Sequence, residues 1–461
     1  MRLVLDLQAA QSGSRFRGIG RYSFSLAKYL LMAATQRGHE VFIFLNGNFA
    51  AEAAEITDQL SGLISKNKIV LFYTPSPCAD NDPANAWRHG AAKLLREEAL
   101  ASLNPDFVHV STLLADCWTD DSIVSVGELH NTPTALTHYD LIPLAMQDQY
   151  LPPSAYRNHY LEKIENVKRA DLLLAISDFT KVEAIVLLIF DESKIINIST
   201  AIEKDFGRKI SSPSAIEKLM SNLGLRKDFL LYAPGGFDPR KNLNRLIEAY
   251  ASLSAHLRSM HQLVIASKLG PGQLADWTWK GQDAGLAAGE LVLTDYVSDD
   301  DLIDLYHGCH AYVFPSLHEG FGLPVLEAMA CGAAVIASDC TSIPEAVGLS
   351  AALFDPLSVE DIAIKLQSVL TDQSYRNRLR EHGKIQLKKF SWEKTAGEAL
   401  NAIEHAHSGI LSTRQKFLHA SSRVDVLLEN LKARNSSTIP TPDDLAQFRA
   451  CFTKNLSAIP S

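Results

Sequence analysis

The sequence predicts an α/β protein built from two doubly wound parallel sheets, each in its own unit. Short apolar runs of β type alternate with helical stretches from Leu3 to Ile198, the pattern of a parallel sheet whose crossovers are helices. That alternation lapses between Glu203 and Lys227, a stretch with no strand of its own that contains Pro213 and Gly224, and it restarts at Phe229. With 461 residues, each half is long enough to bury its own core. The expected divisions are 1–205 for the first unit, 206–227 for the connection and 228–389 for the second unit. A terminal helix over 390–407 and a helical extension over 408–461 follow.

Leu3–Leu7 reads as the first strand. Arg15, Phe16, Arg17, Gly18, Ile19, Gly20, Arg21 and Tyr22 form a basic glycine turn that leads into a helix from Tyr22 to about Ala33. Val41–Leu45, Ile69–Tyr73 and Pro105–Val110 are the next strands. Ala86–Leu103 between them is an amphipathic helix with Trp87, Arg88, Lys93 and Arg96 in its first turns, expected to dock on the sheet with a solvated basic face. Contact with a membrane surface is the other reading of that face. Thr134–His138 is a short strand running out into the loop Thr137–Leu144, and residues just past a parallel strand's C-terminal end line the crevice where ligands bind. His138, Tyr139 and Asp140 are therefore candidates for a site. A helix over Ser154–Lys168, a strand over Leu172–Ile176, a helix start at Ser177-Asp178 and a strand over Ile195–Ile198 close this half.

The second half opens with a strand, Phe229–Ala233, and a turn from Pro234 to Asn242 reading PGGFDPRKN. A helix Leu243–Leu253, strands Leu263–Ala266 and Leu291–Leu293, and a helix Asp299–His307 lead to its densest stretch, Ala311–Gly348. There a short strand, Tyr312–Phe314, breaks at Pro315 and Gly320-Phe321-Gly322 and restarts as a helix with Pro324 in its first turn. Such a corner collects backbone N–H groups that the helix leaves unsatisfied, and Gly320 and Gly322 let an anion approach them. A phosphate suits it. Glu319 and Glu327 bracket the loop and can face one ligand; alone, they would read as a helix-capping acid and a solvated one. Ala334–Ala337 is a buried strand and Ile343-Pro344-Glu345 begins another helix. Near the end Phe390-Ser391-Trp392 precedes a helix to about His405; beyond it Thr413–Leu431 and Asp443–Leu456 have helical patterning around the polar break Asn435–Thr441. That extension has no assigned role and could lead to a neighbour or a further domain.

Composition narrows the classes. A hydrophobic content of 46% and a charged content of 21% are those of an ordinary globular protein. The balance of 44 basic against 53 acidic residues, net −9, argues against a general nucleic-acid binder. The six cysteines, Cys78, Cys117, Cys309, Cys331, Cys340 and Cys451, include no C-x-x-C pair and fit a reducing cytosol. The apolar start is cut by Asp6, too short for a signal peptide, and no apolar run approaches transmembrane length. The expected location is cytoplasmic, with the inner face of the membrane as an alternative station.

Glu319, seven intervening residues and Glu327, with GFGLP between them and the strand AVIAS (Ala334–Ser338) behind, resemble the donor-site signature of the retaining glycosyltransferases of family 4. PGGFDPRKN is similar to the same family's phosphate-binding turn. The resemblance covers about residues 1–405 and implies a GT-B fold, two doubly wound lobes with a cleft between them: acceptor side first, nucleotide-sugar side second, and the terminal helix returning to the first lobe. It implies that Arg240 and Lys241 hold a diphosphate leaving group with the corner Gly320, Phe321, Gly322 and Leu323. Two fixed cations do work that a metal ion would otherwise do. No D-x-D sequence stands in a suitable loop, and Asp299-Asp300-Asp301 reads as a dipole-favoured helix start, so no cofactor and no catalytic metal are expected. Gly236 stands where some members carry arginine, which lowers the positive charge.

By the same resemblance Glu327 accepts hydrogen bonds from the ribose diol, a task suited to a carboxylate. Glu319 lies by the transferred sugar, facing positive charge that develops at the anomeric carbon. Tyr296 and Val297 match the segment over the base; packing beside the helix at Asp299 is the competing reading. Gly18 and Gly20 bring backbone near the phosphates or the acceptor. Many members place a histidine directly before an aspartate where Tyr139 precedes Asp140 here, with His138 one residue earlier; which of His138 and Asp140 stands beside the reacting carbon stays open. The combination GIGRY, YDLIPL and GGFDPRKN is most similar to bacterial polysaccharide and O-antigen mannosyltransferases. It implies transfer of a hexose, mannose from GDP-mannose as the first choice, to a glycan or lipid-linked glycan in cell-surface polysaccharide and lipopolysaccharide synthesis. Alternatives of other kinds are a sugar-nucleotide epimerase of the same fold, which would need no acceptor, and a non-catalytic nucleotide-sugar-binding subunit. A hydrolase using both glutamates would leave the phosphate-binding features idle.

Overall fold

The structure is a computed structural model that describes all residues except 17, 115–117, 208–211, 226–227, 411–422, 435–438 and 459–461. Cys117 and the first half of the patterned stretch 413–431 therefore lie outside the described residues. Contacts divide the chain into two units, one of Met1–Ile176, Thr180–Ser199 and Trp392–Ser461, the other of Ser177–Phe179 and Thr200–Ser391. The stretch 206–227 groups with the second unit and includes a helix, Pro213–Asn222.

The first unit holds a seven-stranded sheet of β1 (Arg2–Asp6), β2 (Glu40–Asn46), β3 (Ile69–Phe72), β4 (Phe107–Val110), β5 (Thr134–His138), β6 (Leu172–Ala175) and β7 (Ile195–Asn197). Its order is β3-β2-β1-β4-β5-β6-β7 and every pairing is parallel. Strand order reverses between β1 and β4, which opens a crevice at their C-terminal ends. Leu3, Val4 and Leu5 are fully buried, as expected of a central strand covered on both faces. The first helix runs from Gly18 to Gln36, not from Tyr22. Gly18 and Gly20 are its first turn rather than a turn before it. The apolar stripe Ile19, Tyr22, Leu26, Leu30 outweighs a glycine penalty of about 1 kcal/mol each. The terminal helix Trp392–Ile410 lies along it, with Tyr22 edge-on to Trp392 at 5.1 Å and Arg37 bonded to Glu404 at 2.7 Å.

The helix Ala86–Ser102 carries no solvated basic face. Arg96 is fully buried, donating through Nε to Asp6 at 3.0 Å and through Nη1 to the Ser125 carbonyl at 3.0 Å. Lys93 is buried against Glu162 and Glu128, and Arg88 pairs with Asp444 at 3.1 Å. Asp6, at the C-terminal end of β1, is itself buried and needs a counter-charge, so the helix turns its cations inward. The other side of this helix is apolar: Trp87, Ala91, Leu94 and Leu95 share a core with Leu427, Leu431, Phe448 and Phe452. Those partners come from the last helices, Arg423–Arg434 and Pro442–Ser457, the second opened by a capping box of Thr441 and Asp444. Asn455 bonds both the N–H and the carbonyl of Tyr73 beside edge strand β3, at 2.7 and 3.1 Å. The extension is thus built into the first unit's core.

The second unit has a six-stranded parallel sheet of β8 (Asp228–Tyr232), β9 (His261–Ile265), β10 (Leu291–Leu293), β11 (Ala311–Phe314), β12 (Val335–Ser338) and β13 (Leu353–Phe354). Its order is β10-β9-β8-β11-β12-β13, so the reversal falls between β8 and β11. Among the described residues no helix is long and apolar enough to cross a membrane.

Candidate active site

The second unit's candidate site grows from the loops that follow the adjacent strands β8 and β11, at the point where strand order reverses. After β11 the chain runs through Pro315 to Gly322, which caps the helix Leu323–Ala330 at φ +105°, and a side chain there would be strained. After β8, Asp238 caps a short turn by accepting from the Arg240 N–H at 3.0 Å, and Lys241 follows. The two loops are tied together. Asn242, at φ +61°, donates its amide to the Pro315 and Pro356 carbonyls at 3.1 and 2.7 Å, and the Leu317 N–H donates to the Arg240 carbonyl at 2.7 Å. The backbone at Gly235 runs so close to the Tyr232 hydroxyl that a Cβ would lie 2.3 Å from it.

Glu319 sits between both cations. One carboxylate oxygen is 2.5 Å from Lys241 Nζ and the other 3.0 Å from Arg240 Nη1, which also donates to the His318 carbonyl at 2.8 Å. Burial alone would raise the Glu319 pKa, but Lys241 and Arg240 hold it below the ordinary range. Burial pushes Lys241 down, against the attraction of Glu319. The Glu319 backbone is clamped as well, its N–H donating to Thr341 Oγ1 at 3.3 Å and its carbonyl accepting from Ser342 Oγ at 2.8 Å. Glu327, half-buried on the same helix, lies 3.3 Å from the Tyr306 hydroxyl. Leu323 is half-buried at the helix start. Phe321 is 2% exposed and edge-on to Phe390 at 5.5 Å, so its ring belongs to the core and only its backbone is left to meet a ligand. Tyr296 is exposed and Val297 half-buried in the loop before the helix Asp299–Gly308.

His138, Asp140 and Tyr139 line a separate cavity of about 330 Å³ inside the first unit, with Ile19 of the first helix on its wall. Burial pushes the His138 imidazole down to about 4, against the pull of Glu183, and its Nε2 has no partner among the described residues. Asp140 accepts from the Ile142 N–H at 3.2 Å. The Tyr139 and Ser23 hydroxyls are 2.8 Å apart. Gly18 is exposed and Gly20 buried beside Ile19. Tyr306, Thr341, Ser342, Tyr156, His159 and Tyr160 carry no signal in the sequence that would have picked them out, because each meets its partners through the fold. Asn242 ends the PGGFDPRKN turn, and its part in tying the two loops together depends on the Pro315 and Pro356 carbonyls, which only the fold brings to it.

One group of described residues has the side chains for a metal ion, Asp228, His261 and His310, at the N-terminal ends of β8, β9 and β11. A parallel sheet puts those ends opposite the Glu319 corner. The charges of Arg376 and Arg380 act on His310 and oppose a cation there.

Two doubly wound units, one with a glycine corner between carboxylates and cations at its reversal point, define the GT-B class of α/β proteins. The family model for Glycosyl transferases group 1 matches residues 216–386 and that for Glycosyltransferase Family 4 matches residues 16–206. The serotype-specific mannosyltransferase WbdA of Escherichia coli is 35% identical over 406 residues, 87% of this chain but 48% of WbdA. The chain thus spans about half the length of these curated relatives. The O-antigen chain mannosyltransferase B of Escherichia coli is 33% identical over 394 residues, 84% of this chain and 96% of that protein. Among solved structures, HepE of Anabaena in complex with UDP and glucose shares the fold, with 17% identity, a TM-score of 0.62 and coverage of 88% of this chain and 100% of HepE. The chain belongs to glycosyltransferase family 4.

Proposed function

We propose that this protein is a retaining hexosyltransferase taking mannose from GDP-mannose, without a metal, and attaching it to a hydroxyl of a glycan or lipid-linked glycan in O-antigen-type polysaccharide synthesis at the cytoplasmic side of the membrane. The carrying observation is Glu319 held between Lys241 and Arg240 in the loop that leads into the helix Leu323–Ala330. This set offers two cations and a helix N-terminus to a diphosphate and a carboxylate to the sugar beside it. In this reading Glu327 accepts from the ribose diol. Mannose as the sugar is supported by the names of the relatives in Escherichia coli.

In the reaction the acceptor hydroxyl attacks the anomeric carbon on the face from which the diphosphate leaves. The carbon–oxygen bond to phosphate breaks, its electron pair goes to the phosphate oxygen, and that oxygen takes the acceptor's proton. Arg240, Lys241 and the helix N-terminus stabilise the departing charge, and Glu319 faces the cationic sugar carbon. The test is incubation with GDP-mannose and other nucleotide sugars, with and without a mannan acceptor. Transfer to acceptor supports the reading; a new sugar nucleotide formed from donor alone makes the protein an epimerase, and binding without turnover makes it a silent subunit.

A further inference from the structure

At the N-terminal ends of the second unit's strands, Asp228, His261 and His310 offer one ligand atom each within 4.8 Å of one another. Topology explains why they meet. Asp228 opens β8, His261 opens β9 as its register partner, and His310 stands directly before β11, the other neighbour of β8, with its N–H donating to the Phe229 carbonyl at 2.8 Å. The two imidazole rings lie 5.2 Å apart at 70°. His261 is 5% exposed and its tautomer is fixed: Nδ1 is 2.9 Å from the Leu257 carbonyl, which only accepts, so Nδ1 carries the proton and Nε2 keeps its lone pair. An imidazole N–H tied to a backbone carbonyl is the outer support that metal-binding histidines have. His310 Nδ1 is 3.7 Å from the Asp228 carboxylate, too far for a hydrogen bond. It is close to the spacing of about 3.4 Å between two ligands of a tetrahedral ion whose bonds are about 2.0–2.1 Å.

The surrounding charges set what the group can hold. Burial, then the charge of Arg376, push the His310 imidazole down to about 4, so the ring is neutral near pH 7. Arg376 opposes a cation through space, but its guanidinium is turned to the end of the helix Val359–Thr371, donating to the Val369 and Leu370 carbonyls at 2.6 and 3.2 Å. The negative end of that helix offsets part of its charge, and Asp228 brings a carboxylate to the site itself. The Asp228 side chain is 74% exposed, so it can swing inward to close 4.8 Å to about 3.4 Å, an ion has a way in, and water can take a fourth position. Two imidazoles with a single carboxylate favour a divalent transition-metal ion over Mg²⁺ or Ca²⁺, which take oxygen ligands. The place, at the end of the sheet opposite Glu319, gives such an ion no part in sugar transfer.

We infer that Asp228, His261 and His310 form a binding site for a zinc-class divalent ion, which ties the N-terminal ends of β8, β9 and β11 together and stabilises the second unit without entering the reaction. The site stands independently of which sugar the protein transfers. The test adds Zn²⁺ alone to the untagged full chain stripped of metal, followed by titration calorimetry, melting temperature and X-ray absorption at the zinc edge. A single Zn²⁺ should bind per chain, with both imidazoles among its ligands. At roughly a hundredfold excess over the dissociation constant it should raise the second unit's melting temperature by about 5–10 °C, a shift that EDTA reverses. Mg²⁺ should give no shift. Asp228→Asn, at an exposed side chain, and His310→Gln should each weaken Zn²⁺ binding by at least about tenfold, since loss of an outer support alone costs about 10–100-fold. Both variants should keep the GDP-induced melting shift of the unsubstituted protein, measured in EDTA. Absence of Zn²⁺ binding, fewer than two imidazoles on the bound ion, Mg²⁺ bound as tightly as Zn²⁺, or unchanged Zn²⁺ affinity in both variants overturns the site. Absence of any GDP-induced shift in the unsubstituted protein rejects the transferase reading instead, and leaves the metal result to stand by itself.

Discussion

Replacing Glu319 by glutamine keeps the shape of the site and removes one negative charge from between two cations. The side chains of Glu319, Lys241 and Arg240 are 13%, 8% and 20% exposed, so the cluster is largely desolvated and Lys241 is left without its closest counter-charge. Removing one partner of a buried pair costs about 3–5 kcal/mol; Arg240 retains some solvent, so the lower end, about 3 kcal/mol, applies. For a unit the size of Thr200–Ser391 that is a fall in Tm of roughly 6–12 °C. A nucleoside diphosphate brings back the missing negative charge. Glu319→Gln should therefore gain more from saturating GDP than the unsubstituted protein, recovering at least about half of its deficit, while sugar transfer falls. Thermal melting with and without GDP reads both quantities. There is also an acid limb. The Glu319 pKa is held below its ordinary 4.5, so its contribution is fully present above pH 4.5 and is lost as pH falls through the depressed value, where the difference between the two proteins should close. An apo variant that melts with the unsubstituted protein, or a deficit that GDP leaves unchanged, would refute the reasoning.

Glu327→Ala should weaken GDP binding by about 10- to 150-fold, the range of a hydrogen bond to a charged group, and calorimetry showing unchanged affinity would remove it from the ribose site. Activity should survive EDTA; complete loss restored by Mg²⁺ or Mn²⁺ would reveal a metal site elsewhere. Phe448→Ala, which hollows the core shared with Trp87, should cost about 3–5 kcal/mol in denaturant unfolding and leave GDP binding intact. A neutral effect would mean that the last helix is dispensable. The product should keep the donor's anomeric configuration by NMR, and Asp140→Asn should lower turnover modestly; an inverted linkage, or a glycosyl adduct on Asp140, rejects the mechanism.

Local pattern carried much of the architecture. Thr134–His138 and Leu291–Leu293 are strands over the spans that their apolar runs and flanking breaks predict. The two-residue strand β13, Leu353–Phe354, is too short for periodicity to register and exists because β12 offers it an edge. At Gly18 propensity misleads, because the helix begins where its apolar stripe begins, glycines included. The basic residues of Ala86–Ser102 misread for a related reason. A sequence shows that Lys93 and Arg96 are charged, but whether they face water depends on Asp6, Glu128 and Glu162, which the fold brings from three other places.

The same distinction separates the two candidate sites. Arg240, Lys241, Glu319, the glycine corner and Glu327 lie in two short contiguous stretches because the site is built on loops at strand ends, and backbone conformation is local. Glycine, proline and acid spacing therefore announce it. The first unit's cavity is assembled from side chains on β5, on the loop carrying Trp118 and on the helix Ala155–Lys168, with Asp80 turning His159 from outside. Side chains that meet only through the fold obey no spacing rule, so nothing local constrains where those residues fall in the chain. A corner made by backbone is accordingly visible in composition and motif, whereas a cavity walled by side chains becomes visible only once the fold has brought them together.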